Sequence, residues 1–332
     1  MPTPRQDAAD HTFQCPCCQG TEFTDLYGVT DTNQDVPGKW SIVACRHCGL
    51  GALWPMPTPQ ETSDFYEGQF YTSDGKRFSS LVERLRHFAG YARGRTLNRL
   101  ASRPGLLLDY GSGAGHFASA QRASGWEVHT VDPYSAASQE AARATLDNRG
   151  NPTLHYPDAH FDAISLWYVL EHILDPQATL AELLRILKPG GILLLAVQDF
   201  SSIQARVFRD KWLILDPPRH IWQFAPHNLD SFLLRFGMPR VALTRSSLEF
   251  GPFTILQSAL NCLTGNRNHL FRMLKHSALP TKSGNRASLP GAIASLIALP
   301  ALAPLSLITY FALLAVGSSD VFTAYYRKPH HG

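Results

Sequence analysis

Two sets of side chains in this chain have the types and spacing to do chemistry. The first is Cys15-Pro16-Cys17-Cys18 together with Cys45-Arg46-His47-Cys48. Read as Cys-x-x-Cys twice, with 26 residues between Cys18 and Cys45, it places Cys15, Cys18, Cys45 and Cys48 as four thiolates around one Zn²⁺. Cys17 is spare, and Gly20 and Gly49 stand where the backbone must turn tightly. Four thiolates leave no open position for water, so such a ribbon is structural rather than catalytic. The second set is Asp109-Tyr110-Gly111-Ser112-Gly113-Ala114-Gly115, followed seventeen residues after Gly115 by Asp132. Glycines admit positive φ and let a ligand lie against bare backbone. Amide groups opening the next helix attract an anionic group, and Asp132 can accept hydrogen bonds from both hydroxyls of a ribose.

The elements that must hold these residues follow from hydropathy. Leu106 to Tyr110 is an apolar run opening into the glycine loop, Phe117 to Ala123 is helix-like, and Trp126 to Val131 is a second short apolar run. Strand, tight turn, helix, strand and acid are the order of a Rossmann-like nucleotide site. A dinucleotide fingerprint would carry glycine at position 116, where this chain has His116, which disfavours a dehydrogenase.

Further along, Phe161 to Trp167 leads into Tyr168-Val169-Leu170-Glu171-His172, and Leu187-Lys188-Pro189-Gly190-Gly191 leads into Ile192 to Val197. Together with the glycine loop, these segments resemble motif I, the "LEH" ending and the "LKPGG" turn of class I S-adenosylmethionine-dependent methyltransferases. More narrowly, they are similar to a bacterial group with an N-terminal zinc ribbon related to ubiquinone-pathway O-methyltransferases. Gly49 to Pro59, Pro217-Pro218-Arg219-His220 and Phe250 to Ser258 carry the same likeness. The resemblance implies an α/β, Rossmann-like fold with a seven-stranded mixed sheet and helices on both faces. It implies S-adenosylmethionine held by Asp109, Gly111, Gly113, Gly115, Asp132 and Trp167, beside a structural Zn²⁺. An aromatic segment (Phe65, Tyr66, Phe70, Tyr71) would cover the cofactor.

Methyl transfer is an in-line displacement governed by positioning, and loops after the fourth and fifth strands supply the acceptor side. His220 is the first candidate for general base and His172 the second, since neutral imidazole suits proton abstraction near pH 7; a structural role for either stays open. Arg219 could clamp a carboxylate or phosphate on the acceptor. Between Asp132 and Phe161 the chain is short and proline-broken, so Asp158, His155 or neither contacts adenine. Gln198-Asp199 replaces the group's usual residues, and no neighbouring cluster supports a metal at Asp199.

Net charge of +3 gives no argument for nucleic acid. Met1 to His11 is polar, without an apolar leader core, which points to the cytoplasm. Between Lys76 and Arg103 eight basic residues face one acid, Glu83; they form either a solvated helix or a surface for an anionic lipid or substrate. From Ala287 to Ser319 no side chain is charged. Pro300 and Pro304 would break this stretch into helices near 293–299 and 305–316, and Asp320 to Lys328 reads as a last strand. An apolar hairpin dipping into one leaflet meets both conditions; a buried helical pair or dimer interface is the alternative.

The resulting expectation is a zinc ribbon (1–58), a cap and basic helix (59–104), and a cofactor domain (105–250). Connecting helices (251–288), a membrane-associating hairpin (289–317) and a last strand and tail (318–332) follow. The expected activity is O-methylation of a small-molecule or lipid-linked acceptor at the inner face of the membrane. A soluble sugar or glycan acceptor, or a regulatory protein that binds S-adenosylmethionine without turnover, stays open, as does the oligomeric state.

Overall fold

The computed structural model describes residues 13–66, 92–132, 144–147, 150–245, 250–265, 268–274 and 289–330. Most of the basic segment, from 76 to 91, and the aromatic residues Phe70 and Tyr71 lie outside the described residues.

The ribbon contributes β1 (Phe23–Val29), β2 (Trp40–Cys45) and β3 (Gly51–Trp54), followed by α1 (Pro59–Tyr66) and α2 (92–100). The cofactor domain opens with β4 (Leu106–Tyr110), α3 (His116–Ala123) and β5 (Glu127–Val131), then a small ladder of β6 (Ala144–Leu146) and β7 (Pro152–Leu154). It continues through β8 (Phe161–Trp167), α4 (Pro176–Ile186), β9 (Leu187–Gln198), α5 (Ile203–Phe208), β10 (Trp222–Gln223), α6 (Pro226–Leu234) and β11 (Arg240–Thr244). The chain ends in α7 (Gly251–Thr264), α8 (His269–Leu274), α9 (Leu289–Ala315) and β12 (Val321–Arg327).

The main sheet has the order β11-β12-β9-β8-β4-β5. Its strands β5, β4, β8 and β9 are parallel, and β12 runs antiparallel beside β9. Six strands stand where seven were expected among the described residues. The described residues of the proline-broken interval after Asp132 form the separate β6–β7 ladder.

Alternate residues of the central strands serve the two faces. Leu107, Ala163, Ile192 and Leu194 pack with Leu97 of α2 and Phe117 of α3. Leu108, Ile164, Leu193 and Leu195 pack with Leu180 and Leu183 of α4 and with Leu229 and Phe232 of α6. All are buried, and each leucine, isoleucine or phenylalanine among them contributes about 1.5–3 kcal/mol. α4 is started by Asp175, whose carboxylate accepts from the Ala178 N–H at 2.9 Å, with Pro176 in the first turn, a cap contributing about 1 kcal/mol.

The ribbon is built into this core. β3 pairs with β10, and Cys15, Cys45, Leu50 and Ala52 share a cluster with the sheet and α6.

The apolar stretch differs from the expected pair of helices. α9 is one helix of 27 residues containing both Pro300 and Pro304. The prolines sit four apart, on one side of the helix, so the two lost hydrogen bonds lie on the same side. Packing maintains the helix: Ala298, Leu299, Leu302 and Ala303 lie against Leu256, Leu260 and Leu270 of α7 and α8. A Cβ on Gly251 would meet the Tyr310 ring, and one on Gly291 the His269 ring; the first contact, with Leu256 and Leu260 lying farther back along α9, makes α9 antiparallel to α7.

Candidate active site and metal centre

The cofactor edge is the one where the parallel strands end. The glycine loop follows β4, Asp132 follows β5, Tyr168 follows β8 and Asp199 follows β9; antiparallel β12 brings Asp320, at its start, to the same edge. Gly111, Gly113 and Gly115 all take left-handed φ, of 74°, 53° and 72°, a conformation costly for other residues. The loop is tied to the second strand: Gly111 N–H donates to the Val131 carbonyl at 2.6 Å and Gly113 N–H to Asp132 Oδ2 at 3.1 Å. Gly115 then begins α3, its carbonyl accepting from Ser119 N–H.

Asp109 lies beneath this loop. It is buried, and the Ser165 hydroxyl donates to its Oδ1 at 2.7 Å. Burial pushes its carboxyl up to about 7, against the pull of the Ser165 hydrogen bond and of Arg93. Its position suits bracing the loop from below.

Trp167 lies 5.0 Å from the Phe117 ring, with the Arg93 guanidinium 4.9 Å from its centroid. Tyr168 has a left-handed φ of 57° and meets Phe250 edge-on at 5.6 Å. Such backbone strain is concentrated at functional sites.

On the acceptor side His172 and His220 come together, ring centroids 4.6 Å apart. His172 Nδ1 is 2.9 Å from the Arg219 carbonyl. Burial, reinforced by His220, pushes His172 down to about 3, so it is neutral at physiological pH. Glu171, next to it, is fully buried, and burial pushes its carboxyl up to about 8.

Arg219 does not present its guanidinium to an acceptor. It is 2% exposed, and its three nitrogens donate to Asp31 and Asp216. The acceptor-clamp expectation is corrected accordingly: the charge is neutralised inside the protein. Asp216 stands three residues before Arg219, a spacing that could have suggested the pair, but nothing near Arg219 in sequence pointed to Asp31. Asp320, fully buried and pushed by burial up to about 6, was also not anticipated as a residue of this edge.

The four cysteines converge. Cys15 and Cys48 sulfurs are 3.5 Å apart, as are those of Cys18 and Cys45, and all four lie within 4.8 Å of one another. A tetrahedral Zn–S length of about 2.3 Å requires sulfurs about 3.8 Å apart, so the set fits Zn²⁺. The two knuckles match: Gln19 N–H donates to the Cys15 carbonyl and Gly49 N–H to the Cys45 carbonyl. The left-handed residues are Gln19 (φ 63°) and Gly49 (φ 72°). Gly20 is needed for a different reason, since a Cβ there would strike the His47 ring.

Strand order, the glycine loop and the tie of Gly113 to Asp132 at the end of β5 define a Rossmann-like fold. Residues 83–241 match the family model described as a methyltransferase domain. A ubiquinone biosynthesis O-methyltransferase of Rhodopseudomonas palustris is 27% identical over 225 residues, covering 61% of this chain and 88% of that protein. A malonyl-[acyl-carrier protein] O-methyltransferase of Serratia marcescens is 32% identical over 137 residues, covering 40% of this chain and about half, 53%, of that protein. A solved S-adenosylmethionine-dependent methyltransferase from Archaeoglobus fulgidus has a TM-score of 0.41 at 13% identity, over 73% of this chain and 94% of that one. The family model and these relatives support a class I S-adenosylmethionine-dependent methyltransferase related to enzymes of the ubiquinone pathway. Its glycine loop and Asp132 fit that cofactor: turned amides for the amino-acid end, a carboxylate for the ribose.

Proposed function

We propose that the protein methylates an oxygen of a lipid-linked or membrane-proximal acceptor, at the inner face of the membrane. S-adenosylmethionine, when bound, supplies an electrophilic sulfonium methyl. In this reading Gly111, Gly113, Gly115 and Asp132 hold it, Asp109 supports the loop, and Trp167 closes the side toward α3. The cluster of Glu171, His172 and His220 takes charge of the acceptor's proton. His220 is the better base of the two imidazoles, because burial pushes His172 down to about 3 and makes it a weak proton acceptor.

One observation carries the acceptor class. Phe250, which meets Tyr168 at the acceptor edge, immediately precedes α7, and α7 packs on α9 through Gly251 and Tyr310. α9 in turn leads through Ser318 back to Asp320. The outer face of α9 is apolar and exposed, with Ile297 at 75%, Ile308 at 67% and Phe311 at 52%. An apolar face of this width, beginning beside the reaction edge, suits an acceptor that arrives from a bilayer. A crossing of the bilayer does not suit α9, about 40 Å long, because β12 after it and α7 before it belong to the same folded unit.

The test uses methyl-labelled S-adenosylmethionine with the full-length protein and total host extract, separated into organic and aqueous phases. Label is expected in the organic phase; label confined to the aqueous phase would overturn the acceptor class, and none in either phase the activity.

A further inference from the structure

Glu171, His172 and His220 each bring one ligand atom to within 4.8 Å of the other two. Glu171 and His172 share the 3-10 turn Leu170–His172 after β8. His220 arrives from the segment before β10, held in place by Ile221 N–H donating to the Glu171 carbonyl at 2.8 Å. Glu171 is 0% exposed, and neither oxygen of its carboxylate has a hydrogen-bond partner among the described residues. Two buried carboxyl oxygens without a hydrogen-bond partner are unfavourable on their own, and a carboxyl within reach of two imidazole nitrogens is well suited to a cation.

The surroundings of His172 point the same way. A carbonyl only accepts, so His172 Nδ1, 2.9 Å from the Arg219 carbonyl, carries the hydrogen and Nε2 keeps its lone pair. Metal-ligating histidines are commonly oriented by such a bond to a backbone carbonyl. Here the carbonyl belongs to a residue fixed through its side chain by Asp31 and Asp216. Both histidines keep some exposure, leaving a side open to ligand.

We propose that Glu171, His172 and His220 form a site for one divalent transition-metal cation, separate from the ribbon's zinc, with open positions for an acceptor oxygen. The site rests on geometry alone; its use in catalysis rests on the methyltransferase reading above. In that use His220 is a ligand in place of its role as base, and the acceptor hydroxyl coordinates the cation and loses its proton to solvent. The oxygen's electron pair forms the new O–CH₃ bond, and the pair of the breaking C–S bond stays on sulfur. No oxidant or reductant is needed.

Zinc-loaded, full-length protein is titrated with Co²⁺ and followed by visible absorption, with bound metal counted after gel filtration. One Co²⁺ per chain is expected, with weak d–d bands and no thiolate-to-cobalt charge-transfer band, because tighter-binding zinc keeps the four cysteines. Glu171→Gln and His220→Asn are expected to weaken Co²⁺ binding at least tenfold while zinc content and S-adenosylmethionine binding persist, which also reports folding. No Co²⁺ bound to the wild type, or unchanged binding in both variants, would overturn the site. Should the variants fail to fold, the wild-type stoichiometry and spectrum decide alone. Methyl transfer that survives chelation in a protein shown to bind Co²⁺ would remove the catalytic role and keep the site. Bound Co²⁺ without methyl transfer would keep the site and sink the proposed function.

Discussion

Arg219 and Asp31, 188 residues apart in sequence, are joined inside the protein by two hydrogen bonds of 2.8 and 3.0 Å. Asp31 belongs to the turn between β1 and β2, and it also accepts from the N–H groups of Asn33, Gln34 and Val36. Its neighbours extend the seam: Asn33 donates to Asp216, Asn268 donates to Thr32, and Arg272 pairs with Asp35. One ribbon turn thereby fixes both the acceptor loop and the corner between α7 and α8. Removing one partner of a buried ion pair leaves an uncompensated charge, which costs about 3–5 kcal/mol. Asp216 continues to pair with Arg219, so Asp31→Ala is expected to cost about 3 kcal/mol, near the low end. Urea unfolding checks this; a loss below about 0.5 kcal/mol, the size of an ordinary surface change, would refute the claim.

How much of this was legible in the chain depends on the range of the interaction. The glycine loop, Asp132, the Glu171-His172 turn and the Cys-x-x-Cys knuckles are local patterns, and each occupies the place its spacing implied. The continuity of α9 was not legible, because the rule that proline breaks a helix omits the packing of Leu256 and Leu260 that holds it together. The partner of Arg219 was not legible either, since a contact between residues 31 and 219 leaves no periodicity. The second knuckle's Gly49 was read correctly, but its counterpart is Gln19. A single left-handed residue can be tolerated when the turn around it is fixed by hydrogen bonds.

Zinc loss is expected to be felt throughout the protein. Cys15 and Cys45 lie in the main apolar cluster, and Arg235 of the loop after α6 donates to the carbonyls of Pro16 and Cys17. Cys45→Ser, or a strong chelator, should therefore lower the melting temperature of the whole chain and weaken S-adenosylmethionine binding with it. Elemental analysis should give one zinc per chain for the wild type. A cooperative transition unmoved by Cys45→Ser would show that the ribbon folds without its metal.

Asp109 gives a pH dependence whose sign can be worked out. Its folded-state value of about 7 lies above the unfolded carboxyl value of about 3.9. Between those two pH values the folded state keeps a proton that the unfolded state has released. Its contribution is therefore fully present below about pH 4 and lost as pH rises through 7, at up to about 1.4 kcal/mol per unit. Arg93, Arg122 and Asp132 are the charges that modulate it. Asp109→Asn, which can still accept from Ser165, should gain stability relative to the wild type as pH rises from 5 to 7. Parallel stability profiles for the two proteins would show that Asp109 does not titrate in that range.

The outer face of α9 should bind lipid as a surface. Ile297 and Ile308 are the most exposed isoleucines of a helix whose covered side is already occupied by α7 and α8. The exposed apolar residues run along most of the helix, from Ile293 to Phe311, and a leaflet's acyl region would cover all of them. Each isoleucine buried in lipid contributes about 1–2 kcal/mol, so Ile297→Glu with Ile308→Glu should lower partitioning into phospholipid vesicles at least about thirtyfold. Both side chains point away from the folded core, and zinc content, melting temperature and S-adenosylmethionine binding should stay as in the wild type. Vesicle flotation makes the measurement, and sedimentation equilibrium of the same proteins separates the rival explanation. A double variant that floats as well as the wild type, or a wild-type dimer that the substitutions split without any change in flotation, would assign the face to a second copy of the chain or to packing rather than to a membrane.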